Sequence, residues 1–283
     1  MNLSEFVTSS FPCVQLDGPG VSLHFTDNVA RIRFHSPDNK NAVTHEIANF
    51  LFELTHISAE NISPLQLLIQ KFQSQVIVLE STFADIFISG GDLKQLAICN
   101  ADQGILFTQH MRYFCKSLRL LNIPSICLLN SCAYGGGAEI ALSTDYRWIT
   151  GQNSSLHFWQ SRWGLPGGWN GMARLKSLVP QWDSRRIGLL FALQESFFKK
   201  ELLHYGLADA DLSEFSVTEI NEFLQQFIRQ IQKCPQKLRH ELLNRNQSVQ
   251  NDDDFFDSHW LSDDHKKALQ KYLSQGNSNA GSV

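Results

Sequence analysis

Long apolar runs, a basic excess and paired cysteine motifs are all missing from this sequence, and each absence excludes a class of protein. No run reaches the roughly 18 apolar residues of a membrane span, so we expect no membrane partner. The formal net charge of -4 argues against a nucleic-acid partner, which needs a basic surface. The six cysteines contain no CxxC pair, which indicates a reducing compartment and no metal site. Because the first residues also lack signal-peptide order, we expect a cytoplasmic protein.

Three common functional signatures are missing as well. The sequence contains no GxxxxGK[ST] loop, no GxGxxG fingerprint and no GxSxG elbow. These motifs hold nucleotide phosphates or present a nucleophilic serine. Nucleotide binding and serine hydrolase chemistry therefore have little support.

The composition is that of a folded, globular chain. Apolar residues make up 43% and charged residues 18% of the 283 residues, which is enough for one substantial core and a smaller appendage. We expect residues 1–20 to be a loose lead-in, residues 21–200 to form the core with the functional site, and residues 201–283 to form a helical C-terminal region.

Hydrophobic patterning predicts an α/β architecture. The segments at residues 21–25 and 29–34 both alternate, and Asp27-Asn28 between them predicts a β-hairpin. Short apolar runs at residues 76–79 and 125–130 are typical of buried strands. Helical periodicity is clearest at residues 44–54, 103–121, 219–231 and 263–273.

Two glycine-rich turns stand between a predicted strand and a predicted helix. They are Gly90-Gly91 and Gly135-Gly136-Gly137, so that residues 76–97 and 125–143 repeat one strand–turn–helix order. Each turn taken alone is also explained as a simple chain reversal. N–H groups freed at the start of a helix bind negative charge, and glycine lets a ligand approach the backbone closely. Two such turns brought together would form an oxyanion hole.

Five segments, in order, carry a resemblance to a known family. They lie at residues 36–42, 87–94, 123–139, 145–147 and 163–175. The second segment reads F-I-S-G-G-D-L-K, and the third ends in A-Y-G-G-G-A-E. Together they resemble the crotonase (enoyl-CoA hydratase/isomerase) superfamily from about residue 20 to residue 275. Residues 255–273 look like that family's C-terminal helical tail.

The resemblance implies a fold, an assembly and a ligand. The fold would be the crotonase (ClpP-like) spiral of ββα units, followed by C-terminal helices. The assembly would be a homotrimer or homohexamer, with residues 201–283 as the trimerisation region and the tail helping to close a neighbouring active site. The ligand would be an acyl-CoA thioester, and no separate cofactor is implied because coenzyme A is part of the substrate.

The resemblance also implies roles for individual residues. Gly91 and Gly136 would supply the two oxyanion N–H donors, and Glu139 would be the first of the family's two acid/base glutamates. The expected substrate-binding residues are Lys40, Asn41 and Ala42 near the adenine end, with Gly90, Asp92, Leu93, Lys94, Gly135, Gln160 and Trp169.

One departure from the family pattern bears on the reaction. The resemblance places the hydratases' second glutamate at Gln160, or at Ser161 or Arg162 in a looser alignment, and no carboxylate occurs from Tyr146 to Pro180. Glutamine can hold a water or a substrate but cannot exchange a proton near neutral pH. We therefore expect a hydratase/isomerase-like enzyme that keeps only the first glutamate.

Two alternatives remain open at this stage. Trp169 resembles a tryptophan found in ethylmalonyl- or methylmalonyl-CoA decarboxylases, which favours a decarboxylase of a malonyl-type acyl-CoA. The chain is also consistent with a non-catalytic homologue that binds acyl-CoA or a partner protein. His157 is open between a pocket-lining and a structural role.

Overall fold

The computed structural model describes residues 15–57 and 62–244, together with five helical positions between residues 263 and 270. It divides into two units, Met1–Ile231 and Gln232–Val283. Within the described part, no helix is both long enough and apolar enough to cross a membrane. Most of the predicted tail at residues 255–273 lies outside the described residues, and the few described positions of the helix predicted at 263–273 are helical.

The strands of the described chain are numbered in chain order. They are β1 Gln15–Asp17, β2 Val21–Thr26, β3 Val29–Phe34, β4 Val76–Ser81, β5 Ile86–Ile88, β6 Ser125–Leu129, β7 Cys132–Tyr134, β8 Tyr146–Ile149, β9 Ser155–His157, β10 Ser196–Phe198 and β11 Ala210–Asp211.

The α-helices are numbered in the same way. They are α1 His45–Thr55, α2 Pro64–Lys71, α3 Leu93–Ile98, α4 Ala101–Ser117, α5 Gly136–Ser143, α6 Gly171–Leu178, α7 Ser184–Ala192, α8 Lys199–His204, α9 Val217–Gln232 and α10 Gln236–Asn244.

A large sheet with the order β1-β2-β3-β4-β6-β8-β11 forms the first layer. The predicted hairpin is confirmed: β2 and β3 pair antiparallel, and both turn residues, Asp27 and Asn28, have positive φ angles of 51° and 64°. This is the geometry that two-residue hairpins favour. From β3 onward the neighbouring strands run parallel.

One expectation about the chain ends needs correction. Gln15–Asp17, which we expected in the loose lead-in, forms the edge strand β1 antiparallel to β2. The C-terminal region contains the short strand β11 in addition to its helices. Both strands are only two or three residues long, too short for a hydrophobic period to be visible in the sequence.

A second sheet with the order β10-β9-β7-β5 explains the internal repeat. The buried strands β4 and β6 do not run directly into the glycine turns, because the short strands β5 and β7 come between. Strands β5 and β7 are parallel neighbours. Since neighbouring parallel strands end at the same edge of a sheet, the two glycine turns that follow them come side by side.

The large sheet is buried on both faces. Ile77 and Leu79 of β4 belong to the main core, whereas Val76 and Val78 belong to a second cluster on the opposite face. That second cluster includes residues of α9 such as Leu224. The alternation follows from the two-residue period of a strand and accounts for the continuous apolar run in the sequence.

The D-x-R segment at residues 145–147 has a structural role. The Asp145 carboxylate accepts hydrogen bonds from the N–H and the hydroxyl of Ser125 at 2.9 Å each. The Arg147 side chain is buried, donates to the backbone oxygens of Leu207 and Thr144, and pairs with Asp209 at 3.0 Å. These contacts tie β8 to β6 and to the chain that leads into β11.

Candidate active site

The two glycine turns meet at one place. A β-carbon built on Gly90 would lie 2.9 Å from the Tyr134 oxygen and 3.4 Å from the Gly136 nitrogen. Gly90 adopts a φ of +96°, and Gly135 combines a φ of +52° with a ψ of -116°, which lies outside the left-handed region that other residues adopt. Val43 holds the first turn in place, because its N–H donates to the Gly90 oxygen at 2.7 Å and its oxygen accepts from the Asp92 N–H at 2.9 Å.

Among the hydrogen bonds of the described residues, none has the N–H group of Gly91 or of Gly136 as its donor. Gly136 begins α5, so its N–H has no acceptor within that helix. Both glycines are half-buried. Two unused donors on adjacent turns are what a shared oxyanion would require.

An aromatic wall covers the two turns on one side. The Trp169 indole is only 6% exposed and lies against Gly136, where a β-carbon would fall 2.3 Å from the ring. At Gly91 a β-carbon would meet a Leu96 methyl at 2.9 Å and the Phe107 ring at 3.4 Å. Phe107 and Trp169 contact each other edge to face, with ring centroids 5.6 Å apart. The turns therefore border an apolar surface.

Glu139 lies beneath this wall, 2% exposed. Its Oε1 accepts hydrogen bonds from the N–H of Gly171 at 2.8 Å and the N–H of Trp169 at 3.1 Å. Its Oε2 accepts from the N–H of Gly168 at 3.2 Å and from the Gln160 amide at 3.3 Å. Each carboxylate oxygen thus has two donors, which accounts for the four acceptor positions of a carboxylate.

Burial and hydrogen bonding shift the pKa of Glu139 in opposite directions. Burial raises the pKa of its carboxyl above the ordinary range, while the hydrogen bonds from Gly171, Gln160, Trp169 and Gly168 act to lower it. Most of these donors are the N–H groups that precede or begin α6, where the helix dipole also favours an anion.

Gln160 joins the carboxylate to the glycine turn. Its amide nitrogen donates to Glu139, and its Cδ lies 3.9 Å from the position of a β-carbon on Gly135. Its Oε1 is buried and has no hydrogen-bond partner among the described residues. Gly135, Gly136, Glu139, Gln160 and Trp169, each expected at the site from the sequence, are therefore in one place.

Two other residues expected at the ligand site, Asn41 and Asp92, have side chains with hydrogen-bond partners in the fold, and their contact with a ligand stays a prediction. Asn41, which we expected to contact a ligand, is 1% exposed; its amide donates to Ser81 and Phe87, and its oxygen accepts from the Ser36 N–H at 2.7 Å. The Asp92 carboxylate caps α3 by accepting from the N–H groups of Lys94 and Gln95. Both side chains are used in fixing their own loops.

The remaining expected residues flank the first turn. Lys40 and the pair Leu93 and Lys94 are exposed, and Ala42 is buried next to Val43. Because Lys40 and Lys94 are exposed, they remain accessible to the phosphates of a ligand, as predicted. The sequence did not single out Phe107, Gly168 or Gly171 as site residues. Phe107 shows only as an apolar position within a helical pattern, and such a pattern does not reveal which neighbour it faces.

His157 lies in the second sheet, 5% exposed. Its ring is placed between the hydroxyls of Ser155 at 2.9 Å and Ser196 at 2.7 Å, and it stacks on Tyr134. Burial, with a smaller contribution from Arg162, lowers the pKa of this imidazole to about 4. The structural role left open by the sequence fits these contacts.

Comparison with known proteins agrees with the family that the sequence motifs resemble. The family model described as enoyl-CoA hydratase/isomerase matches residues 24–280. Over 197 residues the chain is 30% identical to ethylmalonyl-CoA decarboxylase from Xenopus tropicalis, covering 69% of this chain and 61% of that protein. The alignment thus spans less than two thirds of that relative's length.

Solved structures share the fold at lower identity. Enoyl-CoA hydratase from Bacillus anthracis superposes with a TM-score of 0.71 at 20% identity, covering 91% of this chain and 97% of that one. A Thermobifida fusca YX structure in complex with CoA gives a TM-score of 0.65 at 19% identity, covering 93% and 95%. These superpositions confirm the fold that the resemblance implied, including the helical C-terminal region.

Proposed function

Because the chain belongs to the enoyl-CoA hydratase/isomerase family, we propose that it binds an acyl-CoA thioester and forms its enolate by decarboxylating a malonyl-type acyl group. One observation carries this choice of reaction. All four acceptor positions of Glu139 are occupied by hydrogen-bond donors, and Gln160 stands where hydratases have their second glutamate. Neither side chain offers a free carboxylate for proton transfer.

In the proposed reaction the thioester oxygen lies between the N–H groups of Gly91 and Gly136. The bond between the α-carbon and the carboxylate carbon breaks, and carbon dioxide leaves. The electron pair forms the enolate, whose oxygen the two N–H groups stabilise. A proton from water then adds to the α-carbon. No base is needed to start this sequence, so an occupied Glu139 does not impede it.

The surroundings and a relative support the same reaction. Trp169 and Phe107 place an apolar surface beside the two turns, and a carboxylate that is poorly solvated in its bound state loses carbon dioxide more readily. The Xenopus tropicalis relative carries the name ethylmalonyl-CoA decarboxylase. We therefore propose an α-substituted malonyl-CoA thioester as substrate, with coenzyme A as part of it and no separate cofactor.

The second candidate is hydration or isomerisation of an enoyl-CoA with Glu139 as the acid/base group, as the sequence suggested first. The observation that favours it is the pKa of Glu139, which burial raises above its ordinary value, the direction that suits a general acid. The two reactions differ in their products, so one assay separates them.

The assay uses the full chain with ethylmalonyl-CoA, methylmalonyl-CoA and crotonyl-CoA in parallel. We expect carbon dioxide and the shortened saturated thioester from the first two substrates, measured by mass spectrometry, and no hydrated product from crotonyl-CoA. A heat-inactivated sample controls for spontaneous decarboxylation. Hydration or isomerisation of enoyl thioesters without carbon dioxide release would overturn the proposal in favour of the second candidate.

A binding measurement tests the non-catalytic alternative. A ligand that binds only the folded chain raises its thermal midpoint. We expect a rise with CoA thioesters at millimolar concentration. Binding without turnover of any substrate would favour a non-catalytic homologue. The homotrimeric or homohexameric assembly and the cytoplasmic location remain predictions, the first measurable by light scattering after size-exclusion chromatography.

A further inference from the structure

We propose that Glu139 is a positioning residue, whose carboxylate holds the loop of residues 167–171 so that the Trp169 indole lies over Gly136 and limits the size of the group on the α-carbon. The inference deepens the proposed function and rests on it for the identity of the substrate. It gives Glu139 a role that does not involve exchanging a proton with the substrate.

The first observation concerns the residues that donate hydrogen bonds to the Glu139 carboxylate. Three of the four hydrogen bonds to Glu139 come from main-chain N–H groups of one loop, at Gly168, Trp169 and Gly171. Trp169 is therefore attached to the carboxylate through its own backbone. The loop is also held by the Arg112 guanidinium, which donates to the Gly168 oxygen at 3.0 Å, and by the Arg174 N–H, which donates to the Asn170 oxygen at 3.0 Å. Loss of the carboxylate would remove the three hydrogen bonds that hold the backbone around Trp169 itself.

The second step is the lack of space around the carboxylate. A β-carbon on Gly171 would lie 2.5 Å from the Glu139 Cγ, and one on Gly167 would lie 3.1 Å from its Oε1. The loop thus closes against the side chain from two directions. With both oxygens doubly hydrogen-bonded and 2% of the residue exposed, a substrate atom has no acceptor position to reach.

The third step is the position of the indole. Atoms Cζ3, Cε3 and Cη2 of Trp169 would all lie within 2.7 Å of a β-carbon on Gly136, so the ring is in contact with the glycine itself. A thioester oxygen bound at the Gly136 N–H would place its α-carbon next to this ring. The position of the indole therefore limits the size of an α-substituent, and the hydrogen bonds to Glu139 fix that position.

Three variants test this chain of contacts. Glu139→Gln keeps the shape but presents an NH2 group to donors that need an acceptor. Gly171→Ala keeps the carboxylate and pushes it aside with a new methyl group. Trp169→Leu removes the wall directly. We expect all three to raise the kcat/KM ratio of ethylmalonyl-CoA to methylmalonyl-CoA, by about tenfold for Trp169→Leu, the effect of a methylene in an apolar pocket.

The controls are matched by residue type. Glu222→Gln changes an exposed glutamate of α9, Trp163→Phe changes a tryptophan that is 62% exposed, and Gly188→Ala adds a β-carbon that meets no atom within 4 Å. Circular dichroism and thermal midpoints establish that each variant is folded. The controls should leave the ratio unchanged.

The pH profile separates positioning from proton transfer. A positioning Glu139 predicts that Glu139→Gln shifts the substrate ratio while the pH profile of kcat/KM keeps its shape. A proton-transferring Glu139 predicts an equal loss of about 100-fold to 10,000-fold on every substrate and the disappearance of one limb of the profile. That second result, or an unchanged ratio in Trp169→Leu, would overturn the inference.

Binding measurements test the role of the loop without requiring that the chain turn over a substrate. Dissociation constants are measured for acetyl-CoA, propionyl-CoA and isobutyryl-CoA, which differ only in substitution at the α-carbon. We expect the wild-type chain to bind isobutyryl-CoA most weakly and the Trp169→Leu and Gly171→Ala variants to bind it more tightly than wild type. If the chain shows this pattern of affinities but decarboxylates no substrate, the proposed reaction is refuted and the role of the loop is supported. If the variants leave the affinities unchanged, the role of the loop is refuted.

Discussion

The indole of Trp169 is so close to Gly136 that a β-carbon on this glycine would fall 2.3 Å from the ring. At Gly91, the other proposed oxyanion donor, the closest atom to a β-carbon would be a Leu96 methyl at 2.9 Å. A rigid ring that is 6% exposed and lies against Phe107 has little room to move, whereas the end of a leucine side chain can rotate. The two glycines therefore differ in how they tolerate a side chain, although both offer a free N–H.

This asymmetry gives the first prediction. Gly136→Ala should lower kcat/KM by about 100-fold and the free energy of unfolding by about 1–3 kcal/mol, as overpacked sites do, and Gly136→Val should abolish turnover. Gly91→Ala should keep kcat/KM within about fivefold, because its N–H remains and only a methyl must move. Initial rates and urea unfolding measure both, with Gly188→Ala as control. Equal losses at the two glycines would contradict the close contact with Trp169.

Asn41 gives the second prediction, on stability rather than binding. Its buried amide donates to Ser81 and to the Phe87 oxygen and accepts from the Ser36 N–H, and removing it takes one hydrogen-bond partner from each of these groups. Asn41→Ala should lower the free energy of unfolding by about 2–4 kcal/mol. Lys40→Ala is the matched control, since Lys40 has a similar positive φ of 58° but an exposed side chain. A loss as small as that of the control would show that these bonds contribute little.

His157 gives the third prediction, a pH dependence. Its pKa in the folded chain is lowered to about 4 from 6.5, so below 6.5 the unfolded chain binds a proton that the folded chain rejects. The stability from neutral His157 is fully present above pH 6.5 and is lost as the pH falls toward 4, by on the order of 3 kcal/mol. Urea unfolding from pH 7 to pH 4 should show this loss in wild type.

The same experiment in variants isolates His157 from the other histidines. His157→Gln retains hydrogen bonding to the neighbouring hydroxyls but cannot titrate, so its unfolding free energy should fall less steeply over this interval than that of wild type. His204→Gln, an exposed position, should behave as wild type. If wild type and His157→Gln had parallel pH profiles, the lowered pKa would be wrong.

Arg147 gives the fourth prediction. Its guanidinium donates to three backbone oxygens and to Asp209 from a position 1% exposed. Lysine carries the charge but lacks the planar fork that reaches all four acceptors. Arg147→Lys should lower the free energy of unfolding by about 2–4 kcal/mol, with exposed Arg229→Lys as control. A change below about 0.5 kcal/mol, typical of surface substitutions, would contradict the structural role given to this segment.

The sequence predicted several local structures well. The hairpin at Asp27-Asn28 follows from alternation around a turn pair, and the helix expected from residue 44 is α1, which Thr44 caps. The glycine turns were recognisable because glycines cluster where a predicted strand is followed by a predicted helix. Strands β5 and β7 were missed, since three-residue strands carry no measurable period. The burial of the Asn41 side chain was not predicted, because a motif gives a position but not the direction of a side chain.

What the sequence by itself determined is the α/β pattern, the two glycine turns and the absence of a second glutamate, because these depend on backbone preferences and residue chemistry at single positions. Only the tertiary structure decided that β5 pairs with β7 and so joins the turns, and that Glu139 receives three of its four donors from a loop 29 to 32 residues further along the chain. Such contacts arise from strand pairing and packing across long loops. Local propensities do not specify them, since many partners satisfy the same hydrophobic pattern.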